Sequence, residues 1–203
     1  MNGKTGKQIV LFVREVGDLD PLFRLAEGLT DHGDKPAVIA LDGFCASGKT
    51  TLAAALAERY GARVIHTDDF YLPRELRSDE RYAEPGGTIH YERLKREVID
   101  RLAEPSLTYG VFSHEVMDIV RTVTLDHTAL TVVEGAYACH PAFGDYADLC
   151  CFMETSPEEQ RRRILARNGP ERLKLFESRW IPYERRYEAA FRIREKVRVL
   201  IRT

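Results

Sequence analysis

Residues 43 to 50 read Gly-Phe-Cys-Ala-Ser-Gly-Lys-Thr. Two glycines with four residues between them, the second followed by Lys-Thr, have the Walker A spacing. The glycines let the backbone bend so that its N–H groups point at phosphate oxygens, and a helix opening near Lys49 adds its positive dipole end. Gly43, Ala46, Ser47, Gly48 and Thr51 would line this cradle. Lys49 would reach the β and γ phosphates of a nucleoside triphosphate, and the Thr50 hydroxyl would ligate Mg²⁺. The motif alone identifies no base. It also does not separate a kinase from an ATPase or a nucleotide-driven switch.

Two further acidic positions could complete a phosphoryl-transfer site. His66-Thr67-Asp68-Asp69-Phe70-Tyr71 follows a short apolar run, and a carboxylate there could orient an acceptor hydroxyl and take its proton. An aspartate pair capping a loop fits the same residues. Glu134 precedes Gly135 after another apolar run and could hold the metal directly or through water. Tyr109 and His114 could frame a flat or polyol substrate, but by themselves they fit an edge-strand aromatic and a surface histidine better. Arg161, Arg162, Arg163 and Arg167 crowd one stretch, and Arg163 and Arg167 share a helical face. Arginines so placed can stabilise the charge of a transferring phosphoryl group, although a solvated helix face accounts for some of them.

These positions need a frame. Val38–Leu41, Arg63–His66, Leu130–Val133 and Leu149–Met153 are short apolar runs of buried-strand type. Between them, Thr50–Tyr60 carries Leu52, Leu56 and Tyr60 at helical spacing with Gly61 as a stop. Tyr91–Leu102 carries a Leu94, Val98, Leu102 stripe. Ser156-Pro157-Glu158-Glu159 is a helix start, leading to about Asn168, and a second helix runs from Glu171 to about Phe191. Val197–Ile201 reads as a last strand. The alternation predicts an α/β three-layer sandwich with a parallel central sheet, whose ligands bind at the carboxyl ends of the strands. Gly43–Thr50, Asp68-Asp69 and Glu134-Gly135 all fall at such ends. We divide the chain into residues 1–35, an N-terminal helical extension packed on the core with a strand at 9–13 as a further element, and residues 36–203, the nucleotide-binding domain.

The chain has 203 residues, 44% hydrophobic, with a net charge of −2. That balance opposes a general nucleic-acid or membrane-surface binder. The four cysteines show no metal-like spacing. No apolar run approaches the roughly 20 residues needed to cross a bilayer, and residues 1–13 carry no cleavage-site pattern. The expectation is a cytoplasmic protein with a small-molecule substrate and neither nucleic acid nor membrane as partner. A homo-oligomer stays open.

The order GxxxxGKT, Asp68-x-Phe70-Tyr71, a proline-containing loop before a helix, Val132-Val133-Glu134-Gly135 and an arginine-rich helix resembles the uridine kinase and phosphoribulokinase group of P-loop kinases. The resemblance spans about residues 37 to 190. It implies ATP and Mg²⁺ as cofactors, Asp68 as catalytic base near the metal, and Glu134 beside the metal with Thr50. Beside Lys49 of the phosphate loop, it implies Arg163 and Arg167 as catalytic cations on a helical lid, with Arg162 as a further member. On the acceptor side it implies contacts from Asp69, Tyr71, Tyr109 and His114, with Glu84 where the family carries a ribose-binding aspartate. The chain departs from the group at Glu84-Pro85, in its lid sequence Ala166-Arg-Asn-Gly-Pro-Glu-Arg-Leu-Lys174, and at Glu195-Lys196-Val197. The implied activity is transfer of a γ-phosphoryl group to a nucleoside hydroxyl. Other hydroxyl acceptors (a pantothenate-like alcohol, a sugar phosphate, a nucleotide) and a regulatory module without acceptor are the rivals.

Overall fold

In the computed structural model, residues 7–31 and 36–203 are described. Residues 1–6 and 32–35 of the N-terminal segment lie outside them. Strand β1 is Ile9–Phe12, helix α1 Asp20–Thr30, β2 Ala37–Gly43, α2 Lys49–Tyr60, β3 Arg63–His66, α3 Asp79–Ala83 and α4 Tyr91–Glu97. They are followed by β4 Ser106–Ser113, β5 Asp118–Asp126, β6 Leu130–Glu134, β7 Leu149–Glu154, α5 Pro157–Leu175, α6 Ile181–Phe191, α7 Ile193–Lys196 and β8 Val199–Arg202. The central sheet has the order β1-β8-β7-β2-β6-β3, and its strand pairs are parallel. A parallel sheet must be covered on both faces. Accordingly all seven residues of β2 are buried. Leu22, Phe23, Leu52 and Leu56 from α1 and α2 pack on one face. Leu94 and Tyr187 from α4 and α6, with Phe70, pack on the other. These are the three layers that the alternating pattern predicts.

The strand order places the switch point at β2. The chain leaves β2 towards β3 on one side, then returns to insert β6 between them, while β7 pairs on the opposite edge. A crevice opens where connections depart in opposite directions, at the carboxyl end of β2. Two glycines permit the close approaches made there. A Cβ on Gly43 (φ 146°) would sit 2.1 Å from the Met153 carbonyl oxygen, and one on Gly135 (φ 137°) would sit 1.9 Å from Thr67 Oγ1.

Several boundaries differ from the sequence reading. Within residues 1–35, Ile9–Phe12 is a strand, pairing with β8 at the sheet edge. The Tyr91–Leu102 helix breaks at Val98 (φ −126°, ψ −64°) and ends in a 3₁₀ turn at Ile99–Arg101, yet Leu94, Val98 and Leu102 all remain buried. Tyr109 lies within a strand, and His114 in the turn that follows it. Ser106–Ser113 pairs antiparallel with Asp118–Asp126 as a separate hairpin. The sequence reading missed β5 because most of its residues are exposed, so no buried face marks it. Helix α5 starts as expected, with Ser156 Oγ accepting the Glu159 N–H at 3.2 Å. It is interrupted by Gly169 (φ 77°, ψ 172°) just before Pro170. A five-residue π turn, Phe176–Trp180, joins α5 to α6. Among the described residues no helix is long and apolar enough to cross a membrane.

Because Gly43 abuts backbone rather than a movable side chain, Gly43→Ala is expected to destabilise the protein by about 2–4 kcal/mol. Urea unfolding monitored by circular dichroism measures it; an unchanged midpoint would refute this account of the β2–β7 approach.

Candidate active site

The loop after β2 is held from both sides. Inside, the carboxylate of Asp42 (1% exposed) accepts four hydrogen bonds. Oδ1 takes the N–H of Gly43 at 2.6 Å and of Tyr137 at 3.0 Å. Oδ2 takes the N–H of Cys139 at 2.9 Å and the Tyr187 hydroxyl at 2.7 Å. Burial still pushes its pKa above the ordinary carboxylate value, against the pull of these donors. Outside, Arg163 Nη1 donates to the Ala46 carbonyl at 3.1 Å and to Thr203 Oγ1 at 3.0 Å. Thr203 Oγ1 in turn donates to the Ser47 carbonyl at 3.0 Å. Gly48 (φ 101°) caps α2, aiming the first N–H groups of that helix at the loop's concave side. Lys49 is buried, and its Nζ donates to the Gly43 and Phe44 carbonyls, each at 2.9 Å. The ammonium therefore lies across the loop.

A cleft of about 840 Å³ opens on this loop, within the range of ordinary ligand sites. It brings together Lys49, Thr50, Thr51, Asp68, Tyr71 and His114, and also Glu134, Arg163 and Arg167. Ala46 and Gly48 border it too, while Ser47 is buried beneath and Gly43 forms the end of β2. Thr50 Oγ1 donates to Glu134 Oε1 at 3.2 Å, and His66 Nδ1 stands 2.5 Å from the same oxygen. That contact raises the His66 pKa. Asp68 faces the cleft from the 3₁₀ turn after β3. Its pKa is raised chiefly because the cleft walls displace bulk water, and further by the Glu134 charge, with Lys49 pulling the other way. Thr50, Asp68 and Glu134 offer a hydroxyl and carboxylates, the hard oxygen donors that Mg²⁺ prefers. Mg²⁺ sites of this kind are usually completed by substrate phosphates and water. Among the described residues, no group of three or more His, Cys, Asp or Glu is assembled to hold a metal.

Three acceptor-side residues are not in the cleft lining. Glu84 is exposed and bonds to Arg81 and Tyr91, each at 3.2 Å. Its partners lie on α3 and α4, so the structure does not bring it to the cleft. Tyr109 is 3% exposed within β4, its ring 5.1 Å from that of Phe70. Its hydroxyl pairs with the Asp69 carboxylate, which commits both to each other. Arg163 borders the cleft, but its Nη1 is engaged on the Ala46 carbonyl and Thr203 Oγ1 and its Nε on Glu159 at 2.7 Å. Arg162 also pairs with Glu159. Arg167 is exposed to the cleft, with Nε on Asn168.

The sequence reading missed four contributors. Asp42 looked like a strand-end residue, and His66 lacked a motif of its own. Trp180 and Glu184 lie some 130 residues along the chain from the phosphate loop, on a helix whose composition suggests only a solvated face. Glu184 is 7% exposed, lines the cleft, and accepts the Cys45 N–H at 2.8 Å. Burial raises its pKa to about 7, with Lys49 opposing.

An AAA domain family model matches residues 38–189. The chain belongs to that family. The uridine kinase of Geobacillus kaustophilus is 28% identical over 162 residues, which cover 72% of this chain and 74% of that protein. A tRNA dimethylallyltransferase of Rhodopseudomonas palustris is 46% identical over 52 residues, 26% of this chain. The chain spans 16% of that enzyme's length, and 15% of a second tRNA dimethylallyltransferase, from Methylobacterium radiotolerans. A solved structure described as a possible uridine kinase from Bacillus stearothermophilus superposes with a TM-score of 0.68 at 19% identity, covering 90% of this chain and 96% of that one. The P-loop fold and the similarity to uridine kinases expected from the residues are thus both present.

The raised Glu184 pKa has a consequence for stability. An acid that holds its proton more tightly when folded costs nothing below its unfolded pKa of 4.5, and its cost grows until pH passes about 7. Glu184→Gln is therefore expected to stabilise the ligand-free protein at pH 8 by about 3 kcal/mol, with the gain vanishing towards pH 4.5. Denaturant midpoints of both proteins across pH 4.5–8 test this; a pH-independent difference would contradict it.

Proposed function

We propose that this protein is an ATP-dependent kinase that transfers the γ-phosphoryl group to a hydroxyl of a small molecule, with a nucleoside such as uridine or cytidine as the leading acceptor. The observation that carries the reading is that Asp68 opens into the same cleft as Lys49, Thr50 and Glu134. A switch without an acceptor has no need of this second acid, and the similarity to a uridine kinase favours a hydroxyl over water as the group it orients. The similarity to the Geobacillus uridine kinase over 72% of the chain supports the nucleoside as acceptor.

In this mechanism the phosphate loop fixes the triphosphate through its N–H groups, and Lys49 leaves its two carbonyl partners for phosphate oxygens. Asp68 accepts a hydrogen bond from the acceptor hydroxyl and orients its oxygen towards the γ-phosphorus. As the new O–P bond forms, the bond to the β–γ bridging oxygen breaks, ADP departs, and the hydroxyl proton passes to Asp68. A raised pKa makes Asp68 a stronger base than an ordinary aspartate. Mg²⁺, held by Thr50 and Glu134 with Asp68 nearby, would neutralise the β and γ oxygens. Arg167 reaches the phosphate side of the cleft, whereas Arg163 acts by bracing the loop at Ala46. Tyr71 and His114 wall the acceptor end.

Asp68→Asn is expected to lower kcat by about 10²–10⁴-fold while fluorescent-ATP affinity changes little; full transfer activity in this variant would sink the assignment. Lys49→Met should abolish ATP binding measured in the same way, and undiminished affinity would remove the loop from the nucleotide site.

A further inference from the structure

Trp180 and Glu184 are one helical turn apart, at the end of the π turn and in the first turn of α6. Both reach the cleft opposite the loop that carries Asp68 and Tyr71. The Tyr71 ring has His114 at 4.8 Å and Trp180 at 5.9 Å, so rings from three separate segments gather at this end. The Glu184 carboxyl lines the same cleft at the phosphate loop, where it accepts the Cys45 N–H at 2.8 Å and acts on Tyr71, nearly closed to solvent. Among the described residues it forms no ion pair. The cation acting on it is Lys49, whose ammonium the loop carbonyls hold. The other groups facing it are Cys45 on the phosphate loop, Asp68 and Tyr71 after β3, and Tyr137 after β6. None of these supplies a positive charge.

A carboxyl so placed needs hydrogen-bond donors. Phosphate oxygens cannot meet that need, because they are acceptors and carry the same sign of charge. The remaining visitor to the cleft is the phosphoryl acceptor. Taking the kinase reading as given, we propose that Glu184 and Trp180 select the acceptor: Trp180 covers its flat or apolar side, and Glu184 accepts an O–H or N–H from it. The acceptor therefore presents donor groups and carries no carboxylate or phosphate. An anionic acceptor would face Asp68 and Glu184 together and lose affinity to like-charge repulsion. On this proposal the sugar-phosphate, pantothenate-like and nucleotide acceptors are disfavoured, although Arg167 and Arg172 also line the cleft.

The test uses the full chain with MgATP at pH 8. Uridine and cytidine serve as uncharged acceptors; pantothenate and ribulose 5-phosphate serve as anionic ones. ADP release is measured for the wild type and for Glu184→Gln, which retains a carbonyl oxygen for the Cys45 N–H. Binding without turnover is read from the fluorescence of Trp180, the chain's single tryptophan. The expected result is saturable quenching by an uncharged acceptor and none by the anions. In Glu184→Gln the acceptor KM should rise about 10–100-fold, with the KM for ATP within about threefold of the wild type, and discrimination against the anions should narrow. A variant that changes only the KM for ATP would make Glu184 a brace for the phosphate loop and overturn the proposal. Wild-type turnover of an anionic acceptor as efficient as that of a nucleoside would overturn it while leaving the kinase reading intact. Selective quenching without ADP release would uphold acceptor selection by Glu184 and Trp180 and defeat the kinase reading instead. No saturable quenching by either uncharged acceptor would count against the proposal.

Discussion

The site depends on one buried carboxylate. Asp42 sits at the end of the central strand, and its two oxygens collect donors from three places: the first residue of the phosphate loop, the segment after β6, and helix α6. Removing any one donor would leave a buried charge short of a partner, which costs more than the lost bond itself contributes. The carboxylate therefore specifies a position for each of these segments. Through Tyr187 it fixes α6, and hence Glu184, relative to the loop. Through Tyr137 and Cys139 it fixes the backbone just beyond Glu134. The phosphate loop, the backbone beyond Glu134 and the helix that carries Glu184 thus share one anchor.

Around that anchor the loop's two flanks are held differently. Its inner flank rests on backbone N–H groups and a buried acid, which demand a dry and well-ordered setting. Its outer flank rests on Arg163 and Thr203, half-exposed groups that cross from α5 and the end of β8. Exposed contacts of this kind contribute less than buried ones. The inner flank is accordingly the rigid wall of the cradle and the outer one the more yielding. The approaches at Gly43 and Gly135 belong to the rigid wall, where neighbouring strand ends come closer than any side chain allows.

Much of this was legible in the chain. The phosphate loop, Asp68 and Glu134 announced themselves because each follows a short buried strand, and buried parallel strands are continuous apolar runs that end abruptly. The fold followed from the same runs. What escaped was whatever depends on contacts distant in sequence. Glu84 and Tyr109 had suitable types and spacing, but Glu84 turns away to Arg81 and Tyr109 packs inward on Phe70. Glu184 carried no local signal, since a glutamate on a charged helix looks solvated until the fold buries it. The hairpin strand β5 escaped for the opposite reason: a strand with little buried surface leaves no pattern to read.

The π turn at Phe176–Trp180 has a geometric meaning of its own. A π turn accommodates one residue more than the α-helix around it, and each residue advances an α-helix by about 100°. The turn therefore sets the phase of α6 relative to the end of α5. With a plain α-helical turn in its place, the face carrying Glu184 would be rotated away from the phosphate loop, and a neighbouring residue would meet Cys45 instead. Which side chain of α6 faces the cleft is thus decided by the count of residues in one helical turn as much as by their identity. Gaining or losing a single position there would change that lining with every motif of the phosphate loop left in place.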